Sequence, residues 1–66
     1  MKLIASSEHY GIVWTATNHH GDTEHVLVYG LDVERAKNFD DARRVFERML
    51  YHAAEAAGDI AEDEYE

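Results

Sequence analysis

Cysteine and proline are both absent from this chain of 66 residues, and its apolar runs are only a few residues long. Without cysteine the chain can form neither a disulfide framework nor a thiolate metal site, and this absence favours a reducing compartment. The N-terminal letters MKLIAS lack the apolar stretch of a signal peptide, and no run is long enough to span a bilayer. We therefore expect a cytoplasmic protein that does not bind a membrane.

The sequence also lacks the signatures of catalysis and of phosphate binding. The residue types of a nucleophilic triad occur together in the stretch Ser6 to His9, but neighbours along a strand point to opposite faces, so this crowding in sequence does not make a triad in space. A chain this short leaves little room for a deep pocket. The glycines are isolated turn or cap residues and form no phosphate loop: Gly11, Gly21, Gly30 and Gly58. These absences predict a protein that is not an enzyme, with no catalytic residue and no cofactor.

Positive charge is scarce, because 6 Lys and Arg stand against 14 Asp and Glu, which gives a net charge of −8. This excess repels nucleic-acid phosphates, so we expect no direct binding of nucleic acid. Most basic residues lie in one stretch: Arg35, Lys37, Arg43, Arg44 and Arg48. Five acidic residues end the chain: Asp59, Glu62, Asp63, Glu64 and Glu66. Without those five the net charge is −3, so the C-terminal segment carries much of the excess.

The clearest structural pattern is an amphipathic helix from Asn38 to Gly58. Apolar residues recur there at the three- and four-residue intervals of one helix face: Phe39, Ala42, Val45, Phe46, Met49, Leu50 and Ala53. Asn38 predicts an N-cap, Asp41 its capping-box partner and Gly58 a left-handed stop. Asp40 and Arg44 have the four-residue spacing of an exposed ion pair.

Three segments before the helix have the composition of strands. The first, Lys2 to Glu8, is a short edge strand that soon turns polar. The second, Tyr10 to Thr17, is rich in aromatic and β-branched residues, and its alternate residues form the predicted core face: Tyr10, Ile12, Trp14 and Ala16. The third, Thr23 to Tyr29, follows a hairpin loop from Asn18 to Asp22, in which Gly21 can take a positive φ.

The length of this loop decides which side of the third strand meets the core. A four-residue loop places Leu27 beside Trp14, whereas a five-residue loop places Val26 and Val28 on that side, and both registers remain open. After a second turn at 30–32, residues 33–37 fit either a short strand or a first helical turn. We favour extended structure, because Asn38 is the better helix cap.

This order of elements predicts a single α+β domain over residues 1–58. Its sheet is an antiparallel meander of three strands, or of four if residues 33–37 are extended, with one C-terminal α-helix packed on one face. Residues 59–66 are low in hydrophobicity and dense in like charge, so we expect an acidic and flexible tail.

Histidines and carboxylates gather around the predicted hairpin loop: His19, His20, Asp22, Glu24 and His25. These residue types bind divalent ions, and a hairpin can bring its two strands together, so a zinc or nickel site is one interpretation. A solvated turn is the plainer one, because the spacing matches no known site. We assign no metal ligand, and a metal-binding hairpin protein stays an alternative.

Two sets of charged residues are candidates for binding a partner. The acidic set would imitate a row of phosphates in the nucleic-acid channel of another protein, and electrostatic steering would make that association fast and salt-sensitive. Its members are Glu8, Asp22, Glu24, Asp59, Glu62, Asp63, Glu64 and Glu66. The basic set comprises Arg43 and Arg44, which with Arg35 and Lys37 could face an acidic partner. A solvated, salt-bridged surface is the plainer interpretation of both sets.

The predicted meander, followed by the run Asn38-Phe39-Asp40-Asp41-Ala42 with Phe46 four residues on, in an acidic chain of this size, resembles the small proteins of phages and mobile elements. Anti-CRISPR proteins are similar in scale, charge and simplicity of architecture. The resemblance covers Tyr10 to Gly58 and transfers no binding residue. It implies a stoichiometric inhibitor in the cytoplasm of a bacterial host, one that binds a CRISPR-Cas effector complex and blocks DNA entry or nuclease recruitment without cofactor or turnover.

We therefore expect a non-enzymatic inhibitor that binds a larger host protein or ribonucleoprotein complex through charged surfaces. A regulatory or structural homodimer module is another alternative, paired through sheet edges or through the strand face that carries Val13, Thr15 and Thr17. In either case we expect the free protein to be a monomer or a weak homodimer.

Overall fold

Four strands and one helix follow one another in the computed structural model, which describes residues 1–60. The elements are β1 (Lys2–Ser7), β2 (Ile12–His19), β3 (Asp22–Tyr29), β4 (Asp32–Ala36) and α1 (Phe39–Ala56). The strands form one antiparallel sheet in the order β1-β2-β3-β4, and α1 packs across one face against β2, β3 and β4. The predicted α+β meander with one C-terminal helix is confirmed, in its four-stranded form. No helix within residues 1–60 is long and apolar enough to cross a membrane.

The β2–β3 hairpin closes through a two-residue turn, tighter than the predicted loop. His20 and Gly21 both have positive φ, at 51° and 88°, as a type I′ turn requires at its two central positions. The ladder therefore continues through Asn18 and ends with His19 paired to Asp22. The prediction of a loop over 18–22 was wrong at both ends, because a turn of this type matches the strand twist and lets the flanking polar residues pair.

The register of this hairpin places Trp14 opposite Leu27 and Ile12 opposite Tyr29. This is the register of the four-residue-loop alternative, since extending the ladder shortens the loop without shifting the pairs. The predicted core face of β2 is confirmed for Ile12 and Trp14, which are buried, while Ala16 is partly buried. The core side of β3 therefore carries Leu27 and not the neighbouring valines.

The two edge strands are shorter than the central pair. β4 follows a turn at Gly30, whose φ is 60°, and confirms extended structure over residues 33–36, with Lys37 outside the strand. β1 ends at Ser7, one residue before its predicted end, and its register shifts between Leu3 and Ala5. A bulge of this kind bends an edge strand and hinders its pairing with another chain.

The core lies between α1 and the sheet face that carries Ile12, Trp14 and Leu27. Ile12 and Leu27 are fully buried, and the ring of Trp14 lies 5.5 Å from that of Phe46 and 5.0 Å from that of Phe39. The predicted helix stripe faces this core, through buried Ala42, Met49 and Ala53 and partly buried Val45, Phe46 and Leu50. Phe39 is the exception, being 52% exposed, because it stands at the first helical position and lines an open groove.

The helix begins where the sequence predicts. The Asn38 side chain accepts a hydrogen bond of 2.9 Å from the backbone N–H of Asp41, which makes it the N-cap. In return the Asp41 carboxylate accepts from the side-chain amide of Asn38, at 3.1 Å. A capping box would instead use the backbone N–H of Asn38, so that part of the prediction was wrong. The aspartate side chain is one carbon shorter than the glutamate that usually reaches back.

Candidate binding surfaces

The one buried polar side chain within residues 1–60 is His25 on β3, at 5% exposed. The register places it on the core side of the sheet, opposite Ala16. The indole Nε1–H of Trp14 donates to His25 Nδ1 across 3.1 Å, and the Phe39 ring lies edge-on at 6.3 Å. Because Nδ1 accepts, the neutral ring carries its proton on Nε2. His25 therefore supplies the acceptor that lets a buried tryptophan satisfy its N–H.

An open groove lies beside His25, between the start of α1 and the sheet. It has a volume of about 640 Å³, and both cations and a carboxylate line it: Lys2, Asp22, His25, Lys37, Asn38 and Phe39. The mixture of charges selects neither an anion nor a cation. Among the hydrogen bonds of residues 1–60, no serine or threonine hydroxyl bonds to a histidine or carboxylate side chain.

The structure does not bring the hairpin histidines together. His19 and His20 are exposed at the end of the β2–β3 hairpin, whereas His25 is buried and gives one ring nitrogen to Trp14. Residues 1–60 contain no group of three His, Cys, Asp or Glu side chains able to hold a metal ion. The geometry therefore gives no support to the metal-binding alternative.

The predicted acidic set is divided between opposite ends of the sheet. Glu8, in the β1–β2 turn, and Asp59, after α1, lie at one end, while Asp22 and Glu24 lie next to the β2–β3 turn at the other. The eight residues of β2 separate these ends by about 24 Å at ~3.4 Å per residue. Residues 1–60 therefore present two acidic ends and no continuous row. The remaining members of the set lie outside the described residues: Glu62, Asp63, Glu64 and Glu66.

The C-terminal cap of α1 determines where Asp59 lies. Gly58 takes a φ of 80°, its N–H donates to the Glu55 carbonyl at 3.1 Å, and the Asp59 N–H donates to the Ala54 carbonyl at 2.8 Å. These two bonds form a Schellman motif, so the predicted left-handed stop at Gly58 is confirmed. The motif directs the chain back toward the β1–β2 turn.

Asp59 then joins the helix end to that turn. Its carboxylate accepts a hydrogen bond of 2.5 Å from the hydroxyl of partly buried Tyr10 and lies 3.7 Å from His9 Nε2. The hydrogen bond to Asp59 raises the pKa of Tyr10 above its ordinary value of 10.0, with smaller contributions from burial and from the negative charge of Asp59. One of the predicted partner-binding carboxylates is thus engaged within the fold.

Ion pairs neutralise half of the basic side chains. Arg43 pairs with Glu47 at 3.1 Å, one turn along the helix, and not with Asp40, and Arg44 has no ion pair within residues 1–60. The predicted pair of Asp40 with Arg44 is therefore absent from residues 1–60. Two further ion pairs involve strand residues. Arg48 on α1 pairs with Glu34 on β4, and Arg35 on β4 pairs with Glu24 on β3. Of the predicted basic set, Arg44 on α1 and Lys37 just before it are the two cations without an ion pair inside the described range 1–60.

The sheet face opposite α1, hereafter the outer face, carries most of the exposed apolar surface of the strands. Cross-strand pairing arranges its centre as two rows that run across all four strands. The first row is Leu3, Thr15, Val26 and Arg35, and the second is Ser6, Val13, Val28 and Val33. Within residues 1–60 no element packs on these two rows, because α1 lies on the other side.

Exposure of the outer face is substantial for an apolar surface. Leu3 is 60% exposed, Val33 53% and Val13 40%, while Val26 and Val28 are partly buried by their neighbours. Sequence reasoning had identified the β2 members of this face but missed those of the other three strands. The signal was present in the letters VLVY of β3, which place apolar side chains on both sides of the strand.

A scan of family models, a search of curated proteins and a search of solved structures each found no match to this chain. Its function is therefore inferred from the surfaces described above.

Proposed function

We propose that this protein is a non-enzymatic inhibitor that binds a nucleic-acid-handling complex of its host, as anti-CRISPR proteins bind Cas effector complexes. The observation that carries the proposal is the unequal neutralisation of charge. Three of the six basic residues of residues 1–60 are held by carboxylates, but only three of the ten carboxylates there are held by Lys or Arg. Glu8 and Asp22 form no ion pair within that range. Residues 1–60 keep a net charge of −4, and the remaining acids bring it to −8.

Free carboxylates on a small rigid body suit a channel that normally accepts phosphates. Such a channel is lined by Lys and Arg, and salt screens their attraction to an acidic ligand, which makes binding strong at low salt and weak at high salt. Long-range attraction also raises the association rate. An inhibitor of this kind occupies the channel in a one-to-one complex and excludes DNA by position, without chemistry of its own.

The direct test is a titration of purified Cas effector complexes with this protein, followed by DNA binding and cleavage assays at several salt concentrations. We expect inhibition to saturate at equal molar amounts and to weaken as salt rises. An acid-to-amide variant at Glu8 and Asp22, combined with the same change at Glu62, Asp63, Glu64 and Glu66, should raise the half-inhibitory concentration by about tenfold or more.

A matched control changes two carboxylates that arginines already neutralise, Glu34→Gln and Glu47→Gln. Because these charges are compensated within the fold, inhibition should change by no more than about twofold. Inhibition that is indifferent both to salt and to the free acids would contradict the charged-surface mechanism. No inhibition of any effector complex at an excess of the protein would contradict the assignment to this class.

A further inference from the structure

We propose that the outer face of the sheet is a homodimer interface, on which a second copy of this chain packs its own outer face about a twofold axis. This inference does not depend on the inhibitor proposal, since it concerns a different surface and a different partner. Three properties support it: the composition of the two rows, the placement of charge around them, and the small size of the core.

The two rows have the composition of a sheet interior. Leucine, valine and threonine fill six of the eight row positions, which an antiparallel sheet with one solvated face would normally give to polar residues: Leu3, Val13, Thr15, Val26, Val28 and Val33. β-branched side chains standing on a pleated surface interdigitate with an identical surface about 10 Å away, as the layers of a β-sandwich do. A second copy supplies such a surface.

Charge is kept away from these rows. They contain a single charged residue, Arg35, and Glu24 neutralises it at 3.6 Å. The chain carries a net charge of −8, yet among the strands of residues 1–60 the outer face carries only two carboxylates, Asp22 and Glu24, both near the β2–β3 turn. A second copy that packs its own outer face on these rows therefore brings no unpaired carboxylate into them, because Glu24 is paired with Arg35 and Asp22 lies toward the β2–β3 turn.

The fold also has a reason to gain from a second layer. Within residues 1–60 only Ile12 and Leu27 are large side chains with full burial, and a chain of 66 residues buries about 60% of its unfolded surface. Small domains compensate with disulfides, a structural metal or oligomerisation. This chain has no cysteine, and residues 1–60 hold no metal-binding group, so oligomerisation is the compensation that the described structure leaves open.

The area of the face sets the strength of the dimer. Four strands spaced about 4.8 Å apart and some five residues long give a flat footprint of roughly 350 Å² per chain. Two copies bury about twice that, which is in the range of weak and reversible complexes and below that of obligate dimers. The expected species is therefore a dimer that dissociates on dilution.

The test is analytical ultracentrifugation over a wide range of protein concentrations, together with thermal unfolding at each concentration. The wild type should pass from monomer to dimer as concentration rises, and its Tm should rise with it. Val13→Lys and Val33→Lys place an uncompensated cation in the contact and should weaken dimerisation by at least about tenfold. Val13→Thr and Val33→Thr keep the β-branched shape, so these variants should retain the fold. They should weaken dimerisation less than the lysine variants do.

Leu31→Lys is the matched control, because Leu31 is fully exposed in the β3–β4 turn and lies outside both rows. It should dimerise like the wild type. A wild type that stays monomeric at every concentration would overturn the proposal. Row variants that still dimerise would also overturn it, because the contact would then lie on another surface. A Leu31→Lys variant that loses dimerisation as fully as the row variants would overturn it as well, because added charge in general would then be the cause.

Discussion

The two faces of the sheet are built from the same strands, yet they meet different surroundings. On the covered face Ile12 and Leu27 are fully buried beneath α1, and the polar group of Trp14 has its own acceptor. On the outer face Val13 and Val28 stand directly beside them in sequence, and Val13 is 40% exposed. Both faces are therefore apolar, but only one has a partner within the described chain. An antiparallel sheet with one solvated face usually alternates apolar and polar residues, and the valines of the outer face depart from that alternation.

The largest expected effect is the difference in unfolding free energy between two truncations, one of a core side chain and one of its sequence neighbour on the outer face. Leu27→Ala removes a fully buried side chain and should lower the free energy of unfolding by about 2–5 kcal/mol. A domain of this length has roughly 3–10 kcal/mol in total, so much of the variant should be unfolded. Val28→Ala should cost below about 1 kcal/mol at concentrations where the protein is monomeric. Urea denaturation followed by circular dichroism measures both, and equal losses would contradict the assignment of the faces.

The second effect concerns the polar group of the covered face. His25→Leu leaves the Trp14 Nε1–H without its acceptor and should cost about 1–3 kcal/mol, the penalty of an unsatisfied buried donor. His19→Leu is the matched control, because His19 is exposed at the hairpin end, and it should stay within about 0.5 kcal/mol of the wild type. Chemical denaturation monitored by the single tryptophan reports both variants. If His25→Leu left the free energy of unfolding unchanged, the Trp14 N–H would have found water or another acceptor.

A third change loosens the layer that covers the core and leaves both sheet faces untouched. Asn38→Ala removes the side chain that accepts from the Asp41 N–H and should lower the unfolding free energy by about 1 kcal/mol. Asn38→Asp keeps an acceptor at the cap and should recover most of that loss. Helix content and thermal stability, measured by circular dichroism, distinguish the two. If Asn38→Asp were as unstable as Asn38→Ala, the cap would not be the source of the effect.

The smallest effect is at the far end of α1, where Tyr10 donates to Asp59. Because the folded-state pKa of Tyr10 is raised above 10.0, the contact stabilises the fold fully below that pH and is lost as pH rises through the higher folded-state pKa. Asp59→Ala should move the pKa of Tyr10 back toward 10.0. Tyrosinate absorbance during a pH titration measures the shift, and Tyr10→Phe identifies the transition. An unchanged titration in Asp59→Ala would show that Asp59 does not control this phenol.

Local patterns were sufficient for much of the fold. The apolar spacing of α1, the caps at Asn38 and Gly58, and the β-rich composition of β2 are each encoded within a few neighbouring residues, so each could be predicted. The ends of the β2–β3 hairpin could not, because Asn18, His19 and Asp22 are typical of loops when considered one at a time. They pair only because the turn at His20-Gly21 continues the strand twist into them.

The candidate surfaces were less predictable than the fold. Acidic residues can be counted in a sequence, but whether an acid stays free depends on what folds beside it. Asp59 is engaged by Tyr10, which lies 49 positions away, and Glu24 is engaged by Arg35 on the neighbouring strand. Glu8 and Asp22 show no such partner within residues 1–60. The rows of the outer face have the same origin, since they join four strands that are separate in the sequence.

The amino-acid sequence by itself determined the elements, their order, the absence of disulfides and the acidic charge, because composition and short-range periodicity specify these properties. Only the tertiary structure decided which valines remain exposed, which carboxylates are neutralised and which nitrogen of His25 accepts the hydrogen bond from the Trp14 indole. Those outcomes depend on pairing across strands, where a shift of a single residue would have exchanged the two faces of β3.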